Sequence, residues 1–140
     1  MAKIKNKEKT LARESFIKIL YQHILSKNTI NQVRKDFIDK RAYDDEYLTN
    51  LCIFYEDNHR EIEKILRDII KSPVNSLTII DRCILSLSLM EFIYIDDLSK
   101  NIIINEAILL AKKYSSEDSY KFINKILDRV KSVSYTHLTL

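Results

Sequence analysis

The chain has 140 residues, 46% hydrophobic and 31% charged, with a formal net charge of +3 and no glycine at all. A chain of this length buries roughly 68% of its unfolded surface, enough for a hydrophobic core, and its balance of apolar and charged residues excludes a disordered polymer. The missing glycines exclude a P-loop, a dinucleotide-binding fingerprint, a glycine nucleophile elbow and tight Asn-Gly hairpins, and with a single proline the chain has few helix breakers.

The first helix is predicted over Leu11–Ser26, where Ala12, Phe16, Ile19, Leu20 and Ile24 recur at steps of three and four, with Thr10 as its N-cap. On this reading Lys3, Lys5, Lys7 and Lys9 form an arm ahead of a helix N-terminus, whose free N–H groups and dipole favour phosphate. A second helix starts at Asn28 or Thr29 and carries Ile30, Val33, Phe37 and Ile38. Asp44 and Asp45 cap a long third helix with Leu48, Leu51, Cys52, Tyr55, Ile62, Ile65, Leu66 and Ile69 on its stripe, ended by Pro73.

The fourth helix is expected from a Ser76 cap to about Ile95 and is apolar nearly all round, as suits the centre of a bundle. The fifth covers Ile103–Lys113. Ser115 with Asp118 resembles a cap for a sixth helix, which carries Phe122, Ile123, Ile126, Leu127 and Val130. No repeat and no flexible linker is found. The expected fold class is all-α: a single-domain helical bundle over residues 1–131. Residues 132–140 carry no formal charge and lose the helical period. They are expected to be a disordered or non-native tail, the alternative being a native segment that docks in extended form.

Charge is unevenly spread. Residues 1–13 hold five basic side chains against one acidic, +4; residues 14–99 hold 11 against 15, −4; residues 100–140 hold seven against four, +3. Basic ends suit a polyanion and an acidic middle suits a basic partner; the alternative is a lysine-rich arm in solvent with no ligand. Cys52 and Cys83 lack CxxC spacing and read as buried thiols. No secretory or membrane-spanning segment is seen, so a cytoplasmic location is expected. His23, His59 and His137 have no metal-ligand spacing, and no motif for nucleophilic catalysis is present. A non-enzyme without metal or cofactor is expected.

Four stretches carry a resemblance to a known family: Ala12-Arg13-Glu14 with Leu20-Tyr21-Gln22; Asp81-Arg82-Cys83-Ile84-Leu85 with Met90-Glu91; Ile104-Asn105-Glu106-Ala107-Ile108 with Leu110-Ala111-Lys112-Lys113-Tyr114; and Glu117-Asp118-Ser119-Tyr120-Lys121-Phe122-Ile123-Asn124 with Leu127-Asp128. In this order they resemble the NusB family of transcription antitermination factors over about residues 8–131. The resemblance implies an all-helical domain of six or seven helices in two three-helix halves. It also implies binding to single-stranded boxA RNA of ribosomal RNA transcripts together with NusE, a small-subunit ribosomal protein, in support of the RNA polymerase elongation complex. The free protein is then a monomer or a homodimer. Two positions depart from the family pattern: Ser86 stands where an arginine is usual, and Lys125 where a glycine is usual.

The candidate RNA-binding residues are Lys3, Lys5, Lys7, Lys9, Arg13, Lys121, Phe122 and Lys125. Lysines and arginine neutralise phosphates, and an aromatic ring beside a cation stacks unpaired bases. The alternative for Phe122, and for Tyr21, is a plain core position. Asn105 and Glu106 read as a cap and a first-turn acid, and Asp118 as a first-turn acid or a weak repeller of phosphate. Asp81, Arg82 and Glu91, in the acidic middle, are the candidate contacts to a basic partner, with ordinary surface charge as the alternative. Two other functions fit the chain: a detached accessory domain of a ribosomal RNA methyltransferase system, and a helical adaptor that uses only protein contacts.

Overall fold

The computed structural model describes residues 2–37, 43–70, 77–95 and 97–131, with side chains from residue 7 onward. The expectations placed on Ile38, Pro73, Ser76, His137 and the segment 132–140 fall outside the described residues. Six helices and no strand lie among the described residues: α1 (Ala2–Ser26), α2 (Ile30–Asp36), α3 (Asp45–Ile70), α4 (Ile79–Tyr94), α5 (Lys100–Tyr114) and α6 (Glu117–Lys131). The chain divides into two compact units, Met1–Asp57 and Asn58–Leu140. The division falls inside α3, in the polar stretch between the buried Tyr55 and the buried Ile62.

In the first unit, α1 buries Ala12, Phe16, Ile17, Ile19 and Leu20 and packs against α2. Each fully buried Leu, Ile or Phe side chain is worth about 1.5–3 kcal/mol relative to exposure. The helix starts nine residues before the expected Leu11, because the run from Ala2 to Lys9 is rich in Ala, Lys and Glu and has no breaker; Thr10 within a helix costs only some tenths of a kcal/mol. The lysines therefore do not precede an open helix N-terminus at Thr10: they ride on the first turns of α1 itself.

α1 stops at Ser26. Lys27 takes a left-handed backbone, φ 63°, while its N–H still reaches the His23 carbonyl at 3.0 Å. α2 then opens with a full capping box: the Thr29 hydroxyl accepts from the Gln32 N–H at 3.1 Å, and the Gln32 amide oxygen accepts from the Thr29 N–H at 3.1 Å. Arg34 of α2 reaches Thr49 (2.6 Å) and Asp45 (3.2 Å) in the opening turns of α3. The Tyr55 ring lies edge-on to Phe16 and to His23, with centroids 6.2 and 6.1 Å away.

In the second unit α4, α5 and α6 pack on one another. Every residue from Cys83 to Glu91 is buried, as the apolar circumference of this helix predicts. Ser88 satisfies its buried hydroxyl by donating to the Ile84 carbonyl at 2.9 Å. Thr78 is the N-cap of α4. α5 begins at Lys100 on a Ser99 cap, three residues before the expected Ile103. Ser116 rather than Ser115 caps α6, its Oγ accepting from the Ser119 N–H at 3.1 Å. Lys100 donates to the Lys131 carbonyl at 2.9 Å and Lys131 to Asn101 at 3.0 Å, so α5 and α6 are pinned start to finish.

Candidate nucleic-acid interface

In the first unit the candidate cations lie on α1. Lys9 and Arg13 stand one helical turn apart and both address the ring of Tyr47 in α3, their charged atoms 5.2 and 5.4 Å from its centroid. The Asp44 N–H, just ahead of α3, donates to the Glu8 carbonyl at 3.2 Å. Like charges at i, i+4 repel by a few tenths of a kcal/mol in a bare helix; here a π face lies against both and offsets the repulsion. Arg13 is 2% exposed and Tyr47 8%. Lys7 is exposed and Lys9 half-buried. Lys3 and Lys5 lie on the first turn and a half of α1, their side chains outside the described residues. Tyr21, farther along α1, is 38% exposed. Thus the structure places Arg13 beneath the surface, holding an aromatic ring, with the lysines toward the helix start.

In the second unit the candidate residues lie on α6. Its buried face is Ile123, Ile126, Leu127 and Val130; its other face carries Lys121, Phe122 and Lys125, all exposed. Phe122 is not a core residue: it is 37% exposed. Lys121 lies 3.9 Å from Glu117, an exposed pair that holds the ammonium only weakly. Phe122 forms one wall of an open cleft of about 300 Å³, whose other walls are Ile70, Leu77, Thr78, Asp81, Asp118 and Ser119. The cleft lies between the end of α3 and the first turns of α4 and α6.

The three residues expected to meet a basic partner sit mostly inside. Asp81 is 4% exposed and accepts a 2.6 Å hydrogen bond from the Ser115 hydroxyl. Its N–H donates to Thr78 Oγ1 at 3.2 Å, the N-cap bond of α4. Glu91 is 1% exposed. Arg82 is half-buried and paired with Glu63 of α3. Ser86, at a departure from the family pattern, is buried on α4, while Lys125, at the other, is exposed on α6. Asn105 and Glu106 lie in the second turn of α5 rather than at its start, because Ser99 takes the cap.

Sequence reasoning singled out Phe122, Asp81 and Asp118 but missed Tyr47 and the remaining walls of the cleft. Tyr47 carries only the signature of a core position, and nothing near it in sequence marks the pairing with a turn of α1. Ile70, Leu77, Thr78 and Ser119 meet only once α3, α4 and α6 are folded. Among the described residues no three His, Cys, Asp or Glu side chains converge as a metal site, and no helix is long and apolar enough to cross a membrane.

A profile of the NusB family matches residues 10–132. The chain is 31% identical over 121 residues to the transcription antitermination protein NusB of Colwellia psychrerythraea, covering 84% of this chain and 88% of that one. It is 32% identical over 122 residues to the NusB protein of Bacillus mycoides, covering 86% and 94%. Among solved structures, a NusB of T. maritima superposes with a TM-score of 0.82 at 26% identity, over 92% of this chain and 94% of that one. A chain of a complex of antitermination factors NusB and NusE with double-stranded RNA shares the fold, with a TM-score of 0.74 at 23% identity over 87% and 94%.

Proposed function

The chain belongs to the NusB family, and from that premise we propose that it acts as a transcription antitermination factor that binds boxA-like single-stranded RNA of ribosomal RNA transcripts together with NusE. The observation that carries the RNA reading is Phe122: a large aromatic residue left 37% exposed beside Lys121 and near Lys125, on a helix that buries its other face. A ring so placed stacks a base for about 1–3 kcal/mol, and the neighbouring ammonium groups neutralise phosphates on either side. The α1 lysines add sequence-independent affinity, with Arg13 and Tyr47 setting the direction of Lys9. A solved relative in complex with NusE and RNA supports the partner assignment.

The complex is proposed to work in the cytoplasm on the RNA polymerase elongation complex, with the free protein a monomer or a homodimer. NusE, a ribosomal protein, is proposed to meet the chain around α4. Of the three residues marked there, Arg82 is the one at the surface, while Asp81 and Glu91 shape the helix from within.

A gel-shift titration with a ribosomal leader RNA, with and without NusE, tests this reading. The expected result is binding that strengthens when NusE is added. No shift at any protein concentration with NusE present contradicts it.

A further inference from the structure

Three large apolar side chains stand in solvent away from the residues assigned to RNA. On α5, Ile102 is 46% exposed and Leu109 59%. Seven residues apart, they share one face of that helix, about 10.5 Å from each other along its axis. On α3, Ile53 is 49% exposed. The two helices surround these side chains with opposite charge. Lys112 and Lys113 follow Leu109 by three and four residues, and Glu56 and Asp57 follow Ile53 by three and four; all four are exposed. Residues at those spacings are neighbours on a helix surface. α5 carries three basic residues against one acid, the half-buried Glu106, whereas α3 from Asp45 to Asp57 carries four acids and no base.

From this match we infer that a second copy of this chain covers the stripe, with α5 of one copy lying along α3 of the other. The inference rests on the homodimer named in the preceding section and gives it a surface. With the two helices side by side and running the same way, Leu109 meets Ile53, and in the same register Lys112 and Lys113 meet Glu56 and Asp57. Apolar contact supplies attraction. The charges fix the register and oppose the like pairings, α5 on α5 and α3 on α3. Both lysines already lean on aromatic rings, Lys112 Nζ 5.2 Å from the centre of Tyr120 and Lys113 Nζ 5.5 Å from that of Tyr114, so docking costs them less freedom. RNA does not suit the α3 stripe, whose carboxylates repel phosphate. One helix laid on another is a small contact, so the association belongs to the weak, transient class.

Sedimentation of the intact chain without RNA, over a concentration series at low and at raised salt, tests the assignment. The native chain is expected to associate more as concentration rises and less as salt rises. Two doubly reversed chains, one with Lys112→Glu and Lys113→Glu and one with Glu56→Lys and Asp57→Lys, are each expected to associate about tenfold more weakly or worse, because each then carries like charge on both stripes. Circular dichroism is expected to stay helical, since all four positions are exposed. An equimolar mixture of the two reversed chains is expected to restore association, the reversed α5 of one facing the reversed α3 of the other. Leu109→Asn is expected to weaken association with charge unchanged. A native chain that stays monomeric throughout decides for the monomer and overturns the inference. Self-association that the reversals or Leu109→Asn leave intact, or a mixture no better than either reversed chain alone, overturns the α5–α3 surface and leaves a homodimer through another face. The RNA reading is decided separately, by the gel shift.

Discussion

Single side chains set the chemistry of both faces. Tyr47 is buried under Lys9 and Arg13, and its ring faces both cations. Tyr47→Phe is therefore expected to keep the RNA affinity of the native chain. Tyr47→Leu fills much of the same space without a π face and is expected to lower stability by about 1–2 kcal/mol and to weaken RNA binding, read by denaturant titration and by gel shift. Equal RNA affinity of the Leu and Phe variants contradicts a role for the ring. The two cysteines are also defined by their surroundings: burial pushes the Cys52 thiol up to about 11 and the Cys83 thiol up to about 12, from 9.0. The folded state thus holds both protons longer than the unfolded chain does. Their contribution to stability is full below pH 9.0 and is lost as pH rises toward the folded values. Stability above pH 9.0 is expected to fall more steeply in the native chain than in the Cys52→Ala, Cys83→Ala variant, and a thiol reagent at neutral pH is expected to label both cysteines only after unfolding. Rapid labelling of the folded chain contradicts this.

Helix boundaries are where local physics competes, and Lys27 shows the competition. Its left-handed backbone, φ 63°, ends α1 without a glycine, in a chain that has none. A side chain there costs about 1 kcal/mol or more relative to glycine. Lys27→Gly is expected to raise the unfolding free energy by a net of up to about 1 kcal/mol, the gain being reduced by the freer unfolded chain; a lowered unfolding midpoint contradicts the account of this helix end. The hydrophobic period made the helices readable. The stripe from Leu48 to Ile69 in α3 and the all-round apolar α4 appear as buried residues at the expected positions. Caps were harder, because neighbouring Ser and Thr residues compete for the same role. Ser115 and Ser116 could each start α6, and the choice was made by Asp81, which draws the Ser115 hydroxyl across to α4. The reach of α1 back to Ala2 was hidden because no apolar period marks its first turns, where Ala, Lys and Glu propensities carry the helix.

At the scale of the molecule, six helices fall into two compact units that share α3, and each unit carries cations on one of its helices. The lysines and Phe122 were legible as residue types suited to RNA. Their settings were not, since the burial of Arg13, Asp81 and Glu91 depends on contacts from distant segments. The central claim is that this fold presents α1 lysines to the phosphates of a single-stranded RNA. Its most direct test is the salt dependence of binding to a ribosomal leader RNA, measured for the native chain and for the variant with Lys3, Lys5, Lys7 and Lys9 all replaced by Ser. The four α1 lysines are expected to contribute about −3 to the slope of log affinity against log salt, and the variant, still helical by circular dichroism, is expected to lose that share and to bind much more weakly. An unchanged slope and affinity in the variant contradicts the claim.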